Sequence, residues 1–370
     1  MKNPKLIYML SLCGTSLLTN LSNNDERKLV FKYANVKKCE DVPDEDKIVL
    51  IFLIENAKNK IINADINLAM QMSAELNGII KYYQNNLQPN GDYHLLLCTD
   101  TWLGQKTAEL VKIWLTGKGF TVEVKRQADL QTEDLSAFQC ALSDIVKWCD
   151  QTVLSYQTAG YKIVFNLTGG FKSVQGFLQT LATFYADETI YIFETAKELL
   201  RIPRLPVEMA ATPIVEKNLK VFRRLAMDLD ISELGALNIP ETLLLKIDNE
   251  FTLSPWGEIV WQQSKKEIYS KQLNPSPSKK IQFAESFHHS LKNIAADRLY
   301  LVNEKVDLLT KFLEKNIEAN SLDFKQVRGN TRLPSTHEID AWSDQDAKRI
   351  FGHYEGGVFV LDKLDKKLNG

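Results

Sequence analysis

The 370-residue sequence lacks most of the features that tie a chain to one compartment or one partner. Its five cysteines, Cys13, Cys39, Cys98, Cys140 and Cys149, are odd in number and show no Cys-x-x-Cys spacing, which excludes a disulfide framework and a zinc ribbon. No charge of one sign predominates: 45 Lys and Arg meet 47 Asp and Glu, a net charge of -2, so any attraction for nucleic acid must be local. The opening "MKNPKLIYMLSLCGTSLLTN" has the lysine-flanked apolar core of a signal peptide, but Ser11, Thr15 and Ser16 interrupt it and no cleavage site follows. No other run approaches the length of a membrane span. Internal repeats are missing, and so are the GxGxxG fingerprint of dinucleotide-binding folds and the GxxxxGK[ST] P-loop. These absences predict a cytoplasmic globular protein with no disulfide, metal or cofactor, long enough for two or three domains.

What is present in the first two hundred residues is an alternation of short apolar runs and amphipathic periods. "LIYMLSLC", "YHLLLCTD", "FTVEVKR", "YKIVFNLT" and "ETIYIFE" read as strands; "INLAMQMSAELNGIIKYYQNN", "QKTAELVKIWLTGKG" and "SAFQCALSDIVKWCDQTVLSY" read as helices. That rhythm predicts an α/β fold with an open, mostly parallel sheet covered on both faces, whose ligands bind beyond the carboxyl ends of the strands. The three prolines of "LRIPRLPVEMAATP" mark a boundary near residue 205. Beyond it, "VEKNLKVFRRLAMDL" and "IPETLLLKI" read as helices and "EFTLSPWGEIVWQQSKKEI" as extended, a small winged-helix-like spacer over 206–278 with Trp256 and Trp261 as core aromatics. A helical hairpin, "IQFAESFHHSLKNIAAD" and "LYLVNEKVDLLTKFLEKNIEAN", and an antiparallel meander complete an α+β domain over 279–370. His288 and His289 fall in the hairpin and are assigned no chemistry.

Three loops of the first domain combine hydroxyl residues with glycine at a strand-to-helix turn: "SLCGTSLLTN", "TDTWLGQKTAE" and "NLTGGFKS". Backbone N–H groups at a helix start, unshielded at Gly169 and Gly170, can approach phosphate oxygens, with Thr168 and Lys172 adding a hydroxyl and a charge. The same residues would also serve as tight-turn glycines and helix caps without any ligand.

"SLCGTSLLTN" and "NLTGGFKSVQGFLQTLATFYADETIYIFE" resemble the two signature regions of CARF domains, the CRISPR-associated Rossmann-like sensors, over roughly the first 200 residues. The resemblance implies a homodimer whose paired sheets hold a cyclic oligoadenylate, most often cyclic tetra-adenylate, each protomer contacting half of the ring. On this sequence the pocket would be lined by Ser11, Gly14, Thr15 and Ser16 with Asn166, Thr168, Gly169, Gly170 and Lys172, and by Thr101 from the middle loop. Some CARF domains also cleave their ring slowly, a step in which Ser11, Thr168 and Lys172 would assist.

The output domain has three candidate ribonuclease readings. "RLPSTH", Arg332 to His337, has the spacing of a HEPN motif, but Pro334 would break the helix that must carry it. "DAK" at Asp346–Lys348 fits half of a PD-(D/E)xK metal site, yet Asp340 and Asp344 lie too near in sequence to supply the other half. The order helical hairpin, then antiparallel sheet, ending in "AKRIFGHYEGGVFVLDKLDKKL", resembles the RelE family of toxin ribonucleases. With a CARF domain ahead of it, this resemblance implies a ring-activated, metal-independent enzyme that cuts mRNA in the ribosome. RNA cleavage through its own 2′-hydroxyl needs a base, an acid and cations at the phosphate. Alternation places Arg349, Phe351 and His353 on one strand face. Arg349 is assigned to the phosphate, Lys325 and Arg328 to charge stabilisation (with Arg332 adding to the basic cluster), and His337 or His353 to proton transfer, with Tyr354 as a further candidate and Asp340 beside His337 in the same site. The rival is a CARF and winged-helix transcription regulator without nuclease activity; "NLKVFRRLAMDLDISELGAL" turns acidic where a DNA-reading helix should stay basic, so no DNA partner and no membrane partner are expected.

Overall fold

The apolar run Ile7–Cys13 is buried almost throughout, which is why its sequence does not alternate; as β1 it forms the middle of a six-stranded sheet. The computed structural model describes residues 5–131, 134–193, 198–206, 210–231, 238–317, 319–327 and 334–366. It divides into two units, Met1–Glu208 and Met209–Gly370.

In the first unit β2 (Tyr93–Cys98), β3 (Thr121–Arg126), β4 (Lys162–Asn166), β5 (Glu188–Tyr191) and β6 (Leu200–Pro203) join β1 in the order β3-β2-β1-β4-β5-β6. Every ladder is parallel except β5 with β6. The five expected strands form. The sixth lies inside the proline-rich stretch read as a boundary, where Pro203 is tolerated because β6 is an edge strand. Strand order reverses between β1 and β4, so the loops that follow them lie side by side at the sheet's switch point.

The expected helix over "INLAMQMSAELNGIIKYY" is two helices, Ile66–Met72 and Ala74–Tyr82. Ser73 is extended between them and its hydroxyl accepts from the Leu76 N–H at 3.2 Å, capping the second. That break places Glu75 in a first helical turn, at the carboxyl end of the sheet. All five cysteines are free, and burial pushes the thiols of Cys13, Cys98 and Cys149 well up, Cys98 to about 12. Among the described residues, no helix is long and apolar enough to cross a membrane.

The second unit begins with helices Thr212–Lys217 and Leu219–Leu225. "IPETLLLKI", expected as helix, instead supplies β7 (Leu244–Ile247), paired antiparallel with β8 (Glu250–Leu253). Asp248 and Asn249 between them both have positive φ, 49° and 68°, the signature of a two-residue hairpin turn. "SPWGEIVWQQSKKEI", expected as extended, is the helix Pro255–Lys271: Ser254 accepts from the Gly257 N–H and Pro255 occupies the first turn. Trp261 is buried and stacks on Phe222, whereas Trp256 is 41% exposed and does not belong to the core. Buried Arg223 donates to Asp307 on the helix Ala296–Lys315 through Nε at 2.7 Å, and the Tyr269 hydroxyl donates to the same carboxylate, pinning three helices together.

The expected helical hairpin opens as a strand, β9 (Ile281–Phe283), before helices Glu285–Ser290 and Ala296–Lys315. Then come β10 (Lys325–Gln326), β11 (His337–Trp342), β12 (Lys348–Glu355) and β13 (Val358–Lys366). Their sheet has the order β10-β11-β12-β13-β9, antiparallel except for the β13–β9 pair. His288 and His289 are exposed on the short helix.

Candidate functional site

At the switch point of the first sheet the turn after β1 packs on the turn after β4. A Cβ on Gly14 would lie 3.0 Å from the Gly170 Cα, so the two backbones touch. Gly170 has φ +92°, and a side chain there would overlap Leu12. Asn166 closes the turn behind them. Its Oδ1 accepts from the Thr168 N–H at 3.2 Å, while its amide donates to Ser11 Oγ at 3.2 Å and to the Glu75 carbonyl at 3.0 Å. Gln175 donates to the carbonyls of Leu167 and Gly169 and holds the loop from its helix.

The floor of this cradle is a side chain that the sequence reading did not single out. Glu75 is fully buried. Its Oε1 accepts from the Gly14 N–H at 2.9 Å, and its Oε2 accepts from the hydroxyls of Ser73 at 2.6 Å and Ser16 at 2.7 Å. Gly169 lies so close that a Cβ would overlap Oε1, and a Cβ on Gly78 would overlap Asn166 and Thr168. Ser11, Asn166, Gly14 and Gly169 are buried with Glu75, and of these Ser11 and Asn166 bond only within the fold, so they organise the cradle rather than line an open surface. Burial of Ser11 also removes it from any direct part in ring cleavage. Thr15, Ser16, Thr168 and Gly170 are half-buried and Lys172 is exposed; these form the rim. Thr15 makes no capping bond, and Thr168 Oγ1, although its residue is half-buried, is itself buried against Gly78 without a hydrogen-bond partner. Thr101 is not brought into the cradle: it is buried, pairs with Thr99 at 2.9 Å and caps the helix Trp102–Gly117 through the Gly104 N–H.

In the second unit the register sorts the candidate nuclease residues onto two faces. Directly opposed residues share a face, so Arg349 with Asp340, and Phe351 with Glu338, lie on the face that also carries His353. His337, opposite Gly352, and Tyr354, opposite Phe359, lie on the other. The two histidines are therefore not partners. His337 stacks on Phe324 and meets the Tyr354 ring edge-on at 5.4 Å; burial lowers its pKa and raises that of Tyr354.

Arg349 is 4% exposed and is held by Glu338 at 2.9 Å, Asp340 at 2.8 Å and Asp323 at 3.3 Å. Lys325 also binds Asp323, whose carboxyl is held low first by Lys325 and then by Arg349. Three carboxylates thus engage Arg349 and Lys325, and in this arrangement Arg349 clamps the sheet, not a substrate. Arg328 and Arg332 lie outside the described residues.

His353 has a partner that alternation alone does not reveal. Phe351 pairs with Lys363 and Gly352 with Leu361, so Asp362 is the extra residue of a bulge. Its carboxylate sits 3.0 Å from His353 Nδ1 and accepts from the Ser335 hydroxyl at 2.7 Å. With Nδ1–H directed at Asp362, Nε2 is left as the basic nitrogen, its nearest carboxylate being Glu355 at 4.0 Å. Among the described residues no group of three or more His, Cys, Asp and Glu is arranged to hold a metal ion.

Residues 70–205 match the family model described as CRISPR-associated protein (Cas_APE2256). No curated protein matches the chain. Among solved structures, Can2 from Sulfobacillus thermosulfidooxidans in complex with cyclic tetra-adenylate is 11% identical over 80% of each chain, with a TM-score of 0.23, a likeness too loose to carry any property from one chain to the other.

Proposed function

We propose that the protein is a CRISPR-associated effector in which a CARF-type first unit, paired with a second copy, binds cyclic tetra-adenylate and switches on a RelE-like ribonuclease in the second unit. The observation that carries the sensor reading is the pair of touching glycine turns at the switch point of a parallel sheet, ringed by Thr15, Thr168 and Lys172. The family match over residues 70–205 covers one of these turns and the Glu75 helix.

Supporting the nuclease reading, the second unit from Ile281 onward has the order strand, two helices, then an antiparallel four-strand meander, with β9 paired parallel to β13. On that sheet His353, oriented by Asp362, is the group fitted to move a proton during attack of the RNA 2′-hydroxyl on the adjacent phosphate. Cations for the phosphate would come from Lys325 and from Arg349 once its carboxylates release it, with the 328–334 segment adding Arg328.

An in vitro translation reaction with and without cyclic tetra-adenylate tests the reading. Ring-dependent arrest with mRNA cut within codons is expected. Unaffected translation accompanied by ring-dependent DNA binding would replace the enzyme with a regulator.

A further inference from the structure

Glycine turns at a helix start ordinarily offer N–H donors to a phosphate. Here the inventory of protons and lone pairs at the cradle floor runs the other way. The Gly14 N–H is committed to Glu75 Oε1, and the hydroxyl protons of Ser16 and Ser73 are both committed to Oε2. Ser73 Oγ in turn accepts from the Leu76 N–H, and Ser16 Oγ accepts from the Ala74 N–H at 3.1 Å. A hydroxyl has one donor and two acceptor sites, so half-buried Ser16 retains one free lone pair and no free proton. A phosphate oxygen, which only accepts, would find no proton at the Ser16 hydroxyl and would meet the negative charge of Glu75 behind it. Of the side-chain donors without a partner, the Lys172 ammonium and the Thr15 hydroxyl are at the rim, while the Thr168 hydroxyl is buried against Gly78.

We propose that Glu75 is a specificity-determining residue which, by fixing the Ser16 hydroxyl as an acceptor, makes the cradle floor select an N–H or O–H donor of the bound nucleotide and confines its phosphates to the rim. In a cyclic oligoadenylate two groups have this chemistry, the adenine 6-amino group and the ribose 2′-hydroxyl. The inference rests on the ring-sensor reading and deepens it. It also explains the glycine at 169: the residue is small to admit the Glu75 carboxylate, not to admit a phosphate.

The test is calorimetric binding of cyclic tetra-adenylate to the full-length protein, its Ser16→Ala and Glu75→Gln variants, and two altered rings, one with inosine in place of adenosine and one methylated on the 2′-oxygen. Loss of the Ser16 acceptor is expected to weaken the natural ring about 10- to 100-fold, the worth of a hydrogen bond in a charge-linked network. One altered ring should lose as much on the wild type and lose nothing further on Ser16→Ala, which identifies the donor. Ser16→Ala leaves the Glu75 carboxylate held by the Gly14 N–H and the Ser73 hydroxyl and decides the matter even if Glu75→Gln does not fold. Variants that bind the natural ring as well as the wild type, or more tightly, overturn the proposal; tighter binding would make Glu75 a competitor of phosphate. A wild type that binds no ring overturns the sensor reading as well, so the two failures are distinct.

Discussion

Gly169 lies against the carboxylate of Glu75, and the absence of a side chain at the one residue is what allows the other to occupy the cradle floor. Glu75 in turn holds the Gly14 N–H of the facing turn at 2.9 Å, so a single buried carboxylate links the loop after β1, the helix Ala74–Tyr82 and the loop after β4. An intramolecular anion occupies the place where the sequence suggests an exogenous one.

Gly169→Ala should therefore damage the unliganded fold before it touches any ligand. Overpacking of this kind costs about 1–3 kcal/mol. Gly176 is the matched control: it lies in the following helix, a Cβ there meets nothing within 4 Å, and Ala is the better helix former by about 0.8–1 kcal/mol. Thermal melting should rank Gly169→Ala below the wild type and Gly176→Ala at or above it. Equal melting of the two variants would show that Glu75 does not occupy the floor.

Much of this architecture was legible because it is periodic. In the first sheet β1, β2 and β4 are nearly continuous apolar runs and β3 alternates, each a pattern that a strand imposes on its sequence. What escaped were features governed by single residues. Ser73 splits one amphipathic period into two helices, and that break delivers Glu75 to the cradle. Asp248-Asn249 turns an apolar stretch into a hairpin, and Ser254-Pro255 starts a helix in a run that looked extended; both are short-range signals present in the sequence. Asp362 could not be found this way, because its contact with His353 depends on a bulge that shifts register within the β12–β13 hairpin. The loops after β1 and β4 meet at the switch point while Thr101 stays in its own helix cap, and which residues are floor and which rim depends on burial.

Arg349→Ala removes the cation from a pocket of carboxylates, of which Glu338 is the most buried. The expected result is a loss of about 2–4 kcal/mol in the stability of the second unit, less than for a fully enclosed pair because Asp323 and Asp340 are partly screened by water. Lost cleavage in this variant is informative only beside a melting curve. Glu338→Gln releases one constraint on the guanidinium; if Arg349 moves to the phosphate during activation, this variant should cleave with a reduced requirement for the ring. An unchanged ring requirement would leave Arg349 as a structural clamp.

Asp362→Asn tests the histidine pair. The amide can direct an N–H at His353 Nδ1, which favours the tautomer with its proton on Nε2, where a base needs a lone pair. Ribonuclease turnover should fall on the order of a hundredfold or more, the scale of a mispositioned general base, while ring binding by the first unit is unchanged. Turnover within a factor of about two of the wild type would remove His353 from the reaction, since a group acting in proton transfer at that scale cannot tolerate the wrong tautomer.

His94 gives the first unit a built-in acid sensitivity. It is fully buried on β2, with Nε2 3.3 Å from the Tyr83 hydroxyl, Nδ1 without a partner and its ring edge-on to Phe120. Burial pushes its pKa down to about 3, against about 6.5 in an unfolded chain. The folded state thus holds the neutral ring, and below about pH 6.5 only the unfolded state gains the proton. The stability associated with His94 is complete above that pH and is lost as the pH falls towards about 3, at about 1.4 kcal/mol per unit. Buried carboxyls such as Asp92, whose pKa burial raises, add their own pH dependence, so the contribution of His94 is read as a difference. Hydrogen exchange of the β2 amides between pH 7 and pH 5 reports the opening of this region directly. Once corrected for intrinsic exchange, protection in the wild type should fall with decreasing pH more steeply than in His94→Phe, whose ring keeps the contact with Phe120 but binds no proton. Parallel slopes for the two proteins would mean that protonation of His94 does not drive the opening.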